Sequence, residues 1–405
     1  MTDRTHCTQV LVRISGTACA LLLMSTPAAA APAAPVTAAP AQAGTQVQTR
    51  PPALSQFAPR PSNRKRLDFS LWDDALKTSV IYGGPSLRER ATRPQPWPGS
   101  RIVHGHTSGL RMEGNKVAYE LLNDDYEDAL AAYAADLESI ANAYDIPSFP
   151  RDEQLAFWLN MHNALVISAL AEAYPVARPS DIKGADGLAF HDTKRVTIRG
   201  VPLSLRDIRE RIVYAHWNDP RVIYGFFHGD LGSPAIQTNA FRGDNVWIVL
   251  GYSATEFTNA LRGVDRGGRK KLRVSKIYEE AAPWYFPAFG DDLRSHLREF
   301  VQEDTLDDIK TLDKPFQVAR YETVIADLTA GDGDRKPISN FASYPGINGA
   351  PLGNGLIART LSERGRKMNK LRRRGLHGTV VITDIKTDGE RNAPTSAPPP
   401  RRGAD

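Results

Sequence analysis

Cysteine is almost absent from this chain of 405 residues, which contains only Cys7 and Cys19. Both lie in an N-terminal segment that is typical of a leader removed from the mature protein. A mature chain without cysteine has no disulfide, no thiolate nucleophile and no cysteine ligand for a metal. Its stability must therefore come from core packing, which a chain of this length can supply.

The first thirty residues have the three parts of a secretory signal peptide. Arg4 and Arg13 give a positive start, residues 14–24 form a short apolar core, and the small residues at 26–31 offer a cleavage site after Ala30. An apolar run this short does not comfortably span a bilayer, which argues against the alternative of an uncleaved anchor. The sequence therefore predicts export from a bacterial cell, to the periplasm or as a secreted protein.

A strong charge bias and internal repeats are also lacking. The formal net charge is +5, with 24% charged and 41% hydrophobic residues. This composition is typical of a globular protein with one large domain or two smaller ones. A mild positive charge is compatible with an anionic lipid or envelope polymer as partner, but it does not indicate nucleic acid.

Composition shifts divide the chain into five parts. The signal peptide, residues 1–30, is followed by a disordered linker rich in Ala, Pro, Thr and Gln at 31–66. A single main domain follows at 67–330. A C-terminal extension with a cationic helix occupies 331–389, and a disordered proline-rich tail completes the chain at 390–405.

Hydrophobic periodicity predicts an α+β fold, with helices around a small sheet. The helices with the clearest period lie at 126–144 and at 151–174, where Pro175 ends the second one. Alternating or β-rich runs predict five strands, at 101–106, 195–203, 246–250, 272–275 and 379–382.

The helix at 151–174 carries polar residues inside an otherwise apolar run. The segment Ala156–Ala164 contains Asn160, His162 and Asn163. The two asparagines are three residues apart and share a face, whereas the histidine lies away from it. Buried amides and imidazoles cost free energy unless they find partners. These residues therefore either cross-link neighbouring backbone in the core or line a binding pocket.

The loop at 228–234 is the strongest candidate for a catalytic site. Its two glycines permit tight turns that expose backbone N–H groups, as an oxyanion site requires. His228, Asp230 and Ser233 provide a base, an orienting carboxylate and a hydroxyl, the groups used in serine-type catalysis. Triad members usually come from separate elements, so the alternative is a structural turn containing a hydrogen-bonded histidine.

Two further histidines raise the question of a metal. His104 and His106 share a face of the predicted strand and, with His191 or Asp192, would offer ligands suited to zinc. No third ligand follows at a fixed short spacing, and two histidines on a surface strand are the alternative. The sequence therefore predicts no metal site and no cofactor.

A cationic segment, Arg364–Arg374, contains seven basic residues beside an apolar stripe. An amphipathic cationic helix of this kind would bind an anionic lipid surface or an envelope polymer. The alternative is a solvated helix face without a partner.

Three motifs occur in order along the chain. The helix carries Phe-Trp-Leu-Asn-Met-His-Asn-Ala at 157–164, and Ser204–Ile208 and Asp219–Arg221 follow. Together they resemble the family called domain of unknown function 547, over approximately residues 110–330. The resemblance implies a mixed α and β domain that is often exported in bacteria, and it brings no assigned reaction.

The chain departs from the family pattern at chemically important positions. His228 and Ser233 stand where the family loop commonly has its two cysteines. Arg209 and Glu210 stand where a glutamate and a histidine often follow the second motif, and His162 replaces the tyrosine of the helix motif. Any cysteine chemistry of the family is therefore closed to this chain.

Two functional hypotheses follow. The first is a cell-envelope binding or scaffold protein on a degenerate enzyme-like domain, with Asn160, His162, Asn163 and Arg221 as candidate binding residues. The second is a hydrolase or transferase that uses His228 with Ser233 and Asp230 on an ester or amide substrate. The absence of a mature cysteine favours the first.

Overall fold

The computed structural model describes residues 50–96, 101–266, 271–306, 314–319, 321–332 and 352–376. The predicted signal peptide and residues 31–49 of the linker lie outside the described residues. So do the end of the C-terminal extension from residue 377, which includes the strand predicted at 379–382, and the tail.

Helices dominate the described residues. In chain order they are α1 (Ser70–Ser79), α2 (Asp124–Ala143), α3 (Arg151–Ala173), α4 (Tyr214–His216), α5 (Val246–Thr258), α6 (Lys276–Tyr285), α7 (Phe289–Phe300), α8 (Glu303–Leu306) and α9 (Leu352–Arg373). A π-helical segment precedes α4 at Asp207–Val213. Short 3₁₀ turns lie at Ser55–Phe57, Tyr119–Leu121, Ile146–Ser148, Pro179–Asp181 and Pro220–Gly225.

The strands are short and form three small sheets. They are β1 (Val80–Ile81), β2 (Lys116–Val117), β3 (Lys194–Ile198), β4 (Val201–Ser204), β5 (Val264–Arg266), β6 (Leu272–Val274) and β7 (Phe316–Val318). β1 pairs with β2 and β3 pairs with β4, both antiparallel. In the third sheet β6 lies between antiparallel β5 and parallel β7. The predicted α+β class is confirmed.

Helix α3 forms the centre of the core. Of its 23 residues, 18 are buried, so the helix is enclosed on all sides. Helix α2 packs along it, and Phe57 meets the ring of Trp158 edge-on at 5.4 Å. Asp152 and Glu153 lie in its first turn, where carboxylates interact favourably with the helix dipole.

Two strand predictions were wrong. Residues 246–250 begin helix α5, because a short apolar run has no periodicity that separates a buried strand from a buried helix. Residues 101–106 have an irregular conformation and form no strand. Their two histidines are held by side-chain contacts to Asp327 and Asp332 instead of by a sheet.

Packing against the domain begins before residue 67. The N–H of Leu54 donates to the carbonyl of Arg211 at 3.0 Å, and the side chain of Phe57 is buried. The part of the predicted linker that the structure describes therefore contributes an aromatic side chain to the core.

Helix α9 spans most of the cationic segment Arg364–Arg374. Its apolar side chains Leu356, Ile357 and Leu371 are buried against the domain, and Arg111 binds Glu363 through two bonds of 2.8 and 2.9 Å. The apolar face is therefore already covered by protein, and it is not free to enter a lipid layer. None of the helices that the structure describes combines the length and apolarity needed to cross a membrane.

Candidate functional site

The two asparagines of α3 hold the backbone of neighbouring loops. Asn160 donates from Nδ2 to the carbonyl of Phe241 at 2.7 Å and accepts the N–H of the same residue at 3.0 Å. Asn163 donates to the carbonyl of Gly225 at 2.9 Å and accepts the N–H of Phe227 at 3.1 Å. Both side chains thus cross-link buried backbone, one of the two roles that the sequence left open.

The bonds of Asn163 also determine the tautomer of His162. Because its amide nitrogen donates to one carbonyl and its oxygen accepts from a backbone N–H, the orientation of this amide is fixed. The Nδ1 atom of His162 lies 3.2 Å from that oxygen and must therefore carry the proton. Burial lowers the pKa of His162 to about 3, with the charge of Arg209 adding to the effect. The ring is neutral, and its Nε2 lone pair has no hydrogen-bond partner in the described part of the chain.

Three imidazoles pack together beside this helix. The ring of His228 lies 6.3 Å from that of His162 and 5.1 Å from that of His191, measured between centroids. Burial, followed by the charge of Arg209, lowers the pKa values of His191 and His228 well below the usual range. Nδ1 of His191, Nε2 of His228 and Nη1 of Arg209 are enclosed without a hydrogen-bond partner among the described residues.

This histidine cluster (His162, His191 and His228, with Arg209) contains three of the five positions at which the chain departs from the family pattern. Arg209 comes from the π-helical segment, a kind of helix that is frequent at functional sites. Its Nη2 donates to the carboxylate of the adjacent Glu210 at 3.3 Å. Replacements far apart in sequence are therefore neighbours in space, and the site as a whole differs from the family pattern.

The loop at 228–234 is tightly constrained. Gly229 has a φ of +93°, and a Cβ at this position would lie 2.6 Å from Cδ1 of Leu170. Only glycine adopts this conformation without strain and leaves the room that α3 needs. Burial raises the pKa of Asp230 to about 7, even though its carboxylate accepts the N–H of Ser233 at 3.1 Å.

The hydroxyl of Ser233 is bound within its own loop. Oγ donates to the carbonyl of Asp230 at 2.8 Å and accepts the backbone N–H of His228 at 3.2 Å. The residue is 1% exposed. Among the described residues, the hydrogen bonds of this hydroxyl are to backbone atoms and not to the imidazole of His228, whose Nε2 has no partner. The loop thus brings the two residues together through the backbone, without the contact between nucleophile and base that serine catalysis uses.

Arg221 makes its contacts elsewhere. Its guanidinium donates three hydrogen bonds to the carboxylate of Asp219, two at 3.0 Å and one at 2.6 Å, and lies 4.9 Å from the ring centre of Trp247. The Asp-Pro-Arg motif therefore builds a local ion pair at the 3₁₀ turn, and none of its hydrogen bonds within the described residues reaches the histidine cluster.

The histidines considered as metal ligands lie against different partners. His104 Nδ1 lies 3.0 Å from Asp332 Oδ2, and His106 Nε2 lies 3.0 Å from Asp327 Oδ1. His191 belongs instead to the histidine cluster. Within the described residues, no group of three or more histidine, cysteine or acidic side chains is arranged to hold a metal ion.

The comparison with known families bears on this region directly. Residues 146–258 match the model of the family described as protein of unknown function, DUF547. The match supports the resemblance, over a shorter stretch than the three motifs indicated. It includes α3, β3, β4, the π-helical segment and the loop at 228–234, so the whole histidine cluster lies within the DUF547 region. The searches of curated proteins and of solved structures give no match.

The residues that sequence reasoning missed are His191 and Arg209 as members of one cluster. The sequence associates His191 only with His104 and His106, as a possible metal ligand, and it marks Arg209 only as a departure from the family pattern. Each stands on a different element from α3, so no local spacing connects them. The sequence gives one indication of the cluster, which is that several positions of this chain depart from the same family pattern.

Replacing Asn163 with leucine should lower the free energy of unfolding by about 1–3 kcal/mol, because the carbonyl of Gly225 and the N–H of Phe227 lose their partner while buried. Urea unfolding measures the change. Asn369, exposed on α9, is the control; its replacement by leucine should change stability by less than about 0.5 kcal/mol. Equal effects of both substitutions would contradict the cross-linking role.

Proposed function

We propose that this protein is exported and has a binding or scaffold role at the bacterial cell envelope. In this proposal its domain resembles an enzyme, but the catalytic residues have been replaced. The observation that carries the proposal is the bonding of Ser233. Its hydroxyl donates to a backbone carbonyl and accepts a backbone N–H. A nucleophile needs a hydrogen bond to its base, and among the described residues this hydroxyl makes no hydrogen bond to an imidazole nitrogen.

The histidine cluster supports the same proposal. A general base works best when its pKa lies near the operating pH. The pKa of His162 is lowered to about 3, and those of His191 and His228 lie well below their usual range. Imidazoles of this kind stay neutral at physiological pH and act as weak bases. Neutral, weakly basic imidazoles can pack in the core, but they are poor general bases. The cluster therefore fits a structural role better than a role in proton transfer.

The proposed location rests on the N-terminal sequence and on the surface charge of α9. A signal peptide with cleavage after Ala30 would release the protein into the envelope. Because the apolar side of α9 is covered, its exposed basic residues Arg366, Lys370 and Arg372 can contact an anionic lipid or polymer only by charge, without insertion.

The test uses the full chain expressed in a Gram-negative host and a fluorophosphonate probe that reacts with activated serines. We expect recovery from the periplasmic fraction with Ala31 as the N-terminal residue, and no adduct on Ser233 by peptide mass spectrometry. Ser233→Ala should give the same labelling pattern as the wild type, because an unactivated hydroxyl reacts no faster than other serines.

A matched control is Ser253→Ala, since Ser253 is also buried and donates to a backbone carbonyl, that of Val249 at 2.8 Å. Labelling that is lost in Ser233→Ala and kept in Ser253→Ala would overturn the proposal in favour of the hydrolase or transferase. Recovery from the cytosol with the first thirty residues intact would overturn the proposed export.

A further inference from the structure

A large groove lies outside the loop at 228–234. It is a groove of about 1100 Å³, whose lining includes Tyr82, Gln237, Tyr252, Glu256, Arg374 and Leu376. Tyr82 is 48% exposed and Tyr252 is 72% exposed. The groove therefore presents two aromatic rings to solvent, beside the end of α9.

Exposed apolar side chains concentrate around this groove. Ten large apolar side chains are exposed in the described part of the chain, and Tyr82, Tyr252 and Leu376 line the groove. Two more stand beside it: Ile248 is one turn before Tyr252 on α5, and Leu306 follows the lining residue Thr305. Half of the exposed apolar side chains thus surround one groove, and such patches mark interaction sites.

Two amides of the groove wall are bonded within the protein itself, whereas Oε1 of Glu256 in the same wall has no hydrogen-bond partner among the described residues. Asn115 donates to the carbonyl of Ile236 at 2.7 Å, and Asn259 donates to the carbonyls of Thr255 and Phe300 at 2.7 and 2.8 Å. These amides have little capacity left for a polar ligand. The groove therefore favours an occupant with apolar side chains.

The described chain ends inside this groove. Arg374 and Leu376 belong to its lining, and 29 residues follow, at 377–405. Their large apolar side chains are Val380, Val381, Ile382 and Ile385, in an otherwise polar and proline-rich tail. The β-branched run begins four residues after Leu376, and an extended chain advances at most about 3.6 Å per residue. Val380–Ile382 is thus within about 15–22 Å of the point where the chain leaves the groove.

We propose that the groove binds the chain's own segment Thr379–Ile382, which covers the exposed tyrosines. The run follows directly from a residue of the groove wall, so its association is intramolecular and has a high effective concentration. β-Branched side chains fit an extended backbone, and their contact with Tyr82 and Tyr252 removes apolar surface from water on both sides. This inference does not depend on the proposed function of the DUF547 domain.

Disulfide cross-linking tests the proposal, because Cys7 and Cys19 are the only native cysteines. In the full chain with both replaced by serine, we introduce Tyr252→Cys together with Val381→Cys. Mild oxidation should give an intramolecular disulfide, seen by mass spectrometry of the monomer. The control pair is Leu71→Cys with Val381→Cys, since Leu71 is 71% exposed on α1 and does not line the groove; it should cross-link several-fold less.

Hydroxyl-radical footprinting of unmutated protein gives a second measurement. Tyr82 and Tyr252 should be oxidised several-fold more slowly in the full chain than in a chain ending at Leu376. Tyr144, 48% exposed and remote from the groove lining, should react equally in both and so report an unchanged fold. Equal oxidation of the groove tyrosines in both chains, or disulfides found only between chains, would overturn the proposal; the second result would assign the groove to another copy.

Discussion

Acidification from pH 6 to pH 4 should destabilise the protein through His162, His191 and His228, by about 1.4 kcal/mol per pH unit for each histidine that remains neutral in the folded state. The three together would contribute up to about 4 kcal/mol per pH unit. This is a large part of the stability of an ordinary domain.

The physical cause is the enclosure of three imidazoles beside a guanidinium. Burial is the largest effect on each ring, and the charge of Arg209 comes next. Protonating any one ring would place a second positive charge near Arg209 in a region of low dielectric. Since these histidines have folded pKa values below the unfolded value of about 6.5, the unfolded chain binds more protons below pH 6.5. The stability they provide is present above that pH and is lost as the pH falls.

Two buried carboxyl groups act in the opposite direction. Burial raises the pKa of Asp230 to about 7 and that of Glu120 well above its usual range. A carboxyl group with a raised folded pKa binds a proton in the folded state first, so its contribution grows as the pH falls towards about 4. The net slope of the wild type is therefore smaller than the histidine contribution alone.

Single variants separate these contributions. Unfolding by urea at pH 6, 5 and 4 should show a slope about 1.4 kcal/mol per pH unit shallower for His162→Gln than for the wild type. Asp230→Asn should give a steeper slope by a similar amount, because it removes an opposing group. If the slope of His162→Gln equals that of the wild type, the inference that this ring stays neutral is wrong.

Replacing Asp327 with alanine should cost about 3–5 kcal/mol, because it leaves several buried polar groups without their partner. This carboxylate is fully buried and lies 3.0 Å from Nε2 of His106. It also accepts the N–H groups of Ala330 and Gly331 at 2.6 and 2.7 Å, and the hydroxyl of Tyr174 at 3.2 Å. Burial alone would raise its pKa, but the hydrogen bond and charge of His106 keep the pKa below the usual value.

The matched control is Asp332→Ala, because Asp332 also pairs with a histidine, His104 at 3.0 Å, but its side chain is 41% exposed. Its loss should cost about 1 kcal/mol or less. A double-mutant cycle with His106→Ala should give a coupling energy of about 1–3 kcal/mol. Similar costs for Asp327→Ala and Asp332→Ala would show that burial does not strengthen the pair.

The chain shows clearly what local pattern can predict. The ends of α3 follow from acidic residues at its start and Pro175 after its last turn, and both signals act within a few residues. The helix at the cationic segment follows from its amphipathic period. The strand predicted at 246–250 failed because Val246–Leu250 is apolar on every side, and only its burial among neighbouring elements decides its conformation.

Individual residues of the candidate site were predictable from the sequence, but their arrangement in space was not. His162, His228 and Ser233 are evident as departures from the pattern of one family. Whether Ser233 meets a base depends on the path of the loop, which Gly229 sets by its positive φ. Along that path the hydroxyl of Ser233 points at the backbone of its own loop and donates to the carbonyl of Asp230.

The amino-acid sequence alone establishes that the two cysteines lie within the first nineteen residues, that the central helix carries two amides in an apolar run, and that five positions depart from the family pattern. These are properties of composition and local order. Packing of the core places three of these replacements, His162, His228 and Arg209, beside His191 in one enclosed cluster, and it pairs the two amides with backbone groups. The physical reason is that burial and hydrogen-bond partners come from residues distant in the chain, and those distances are set when the core packs.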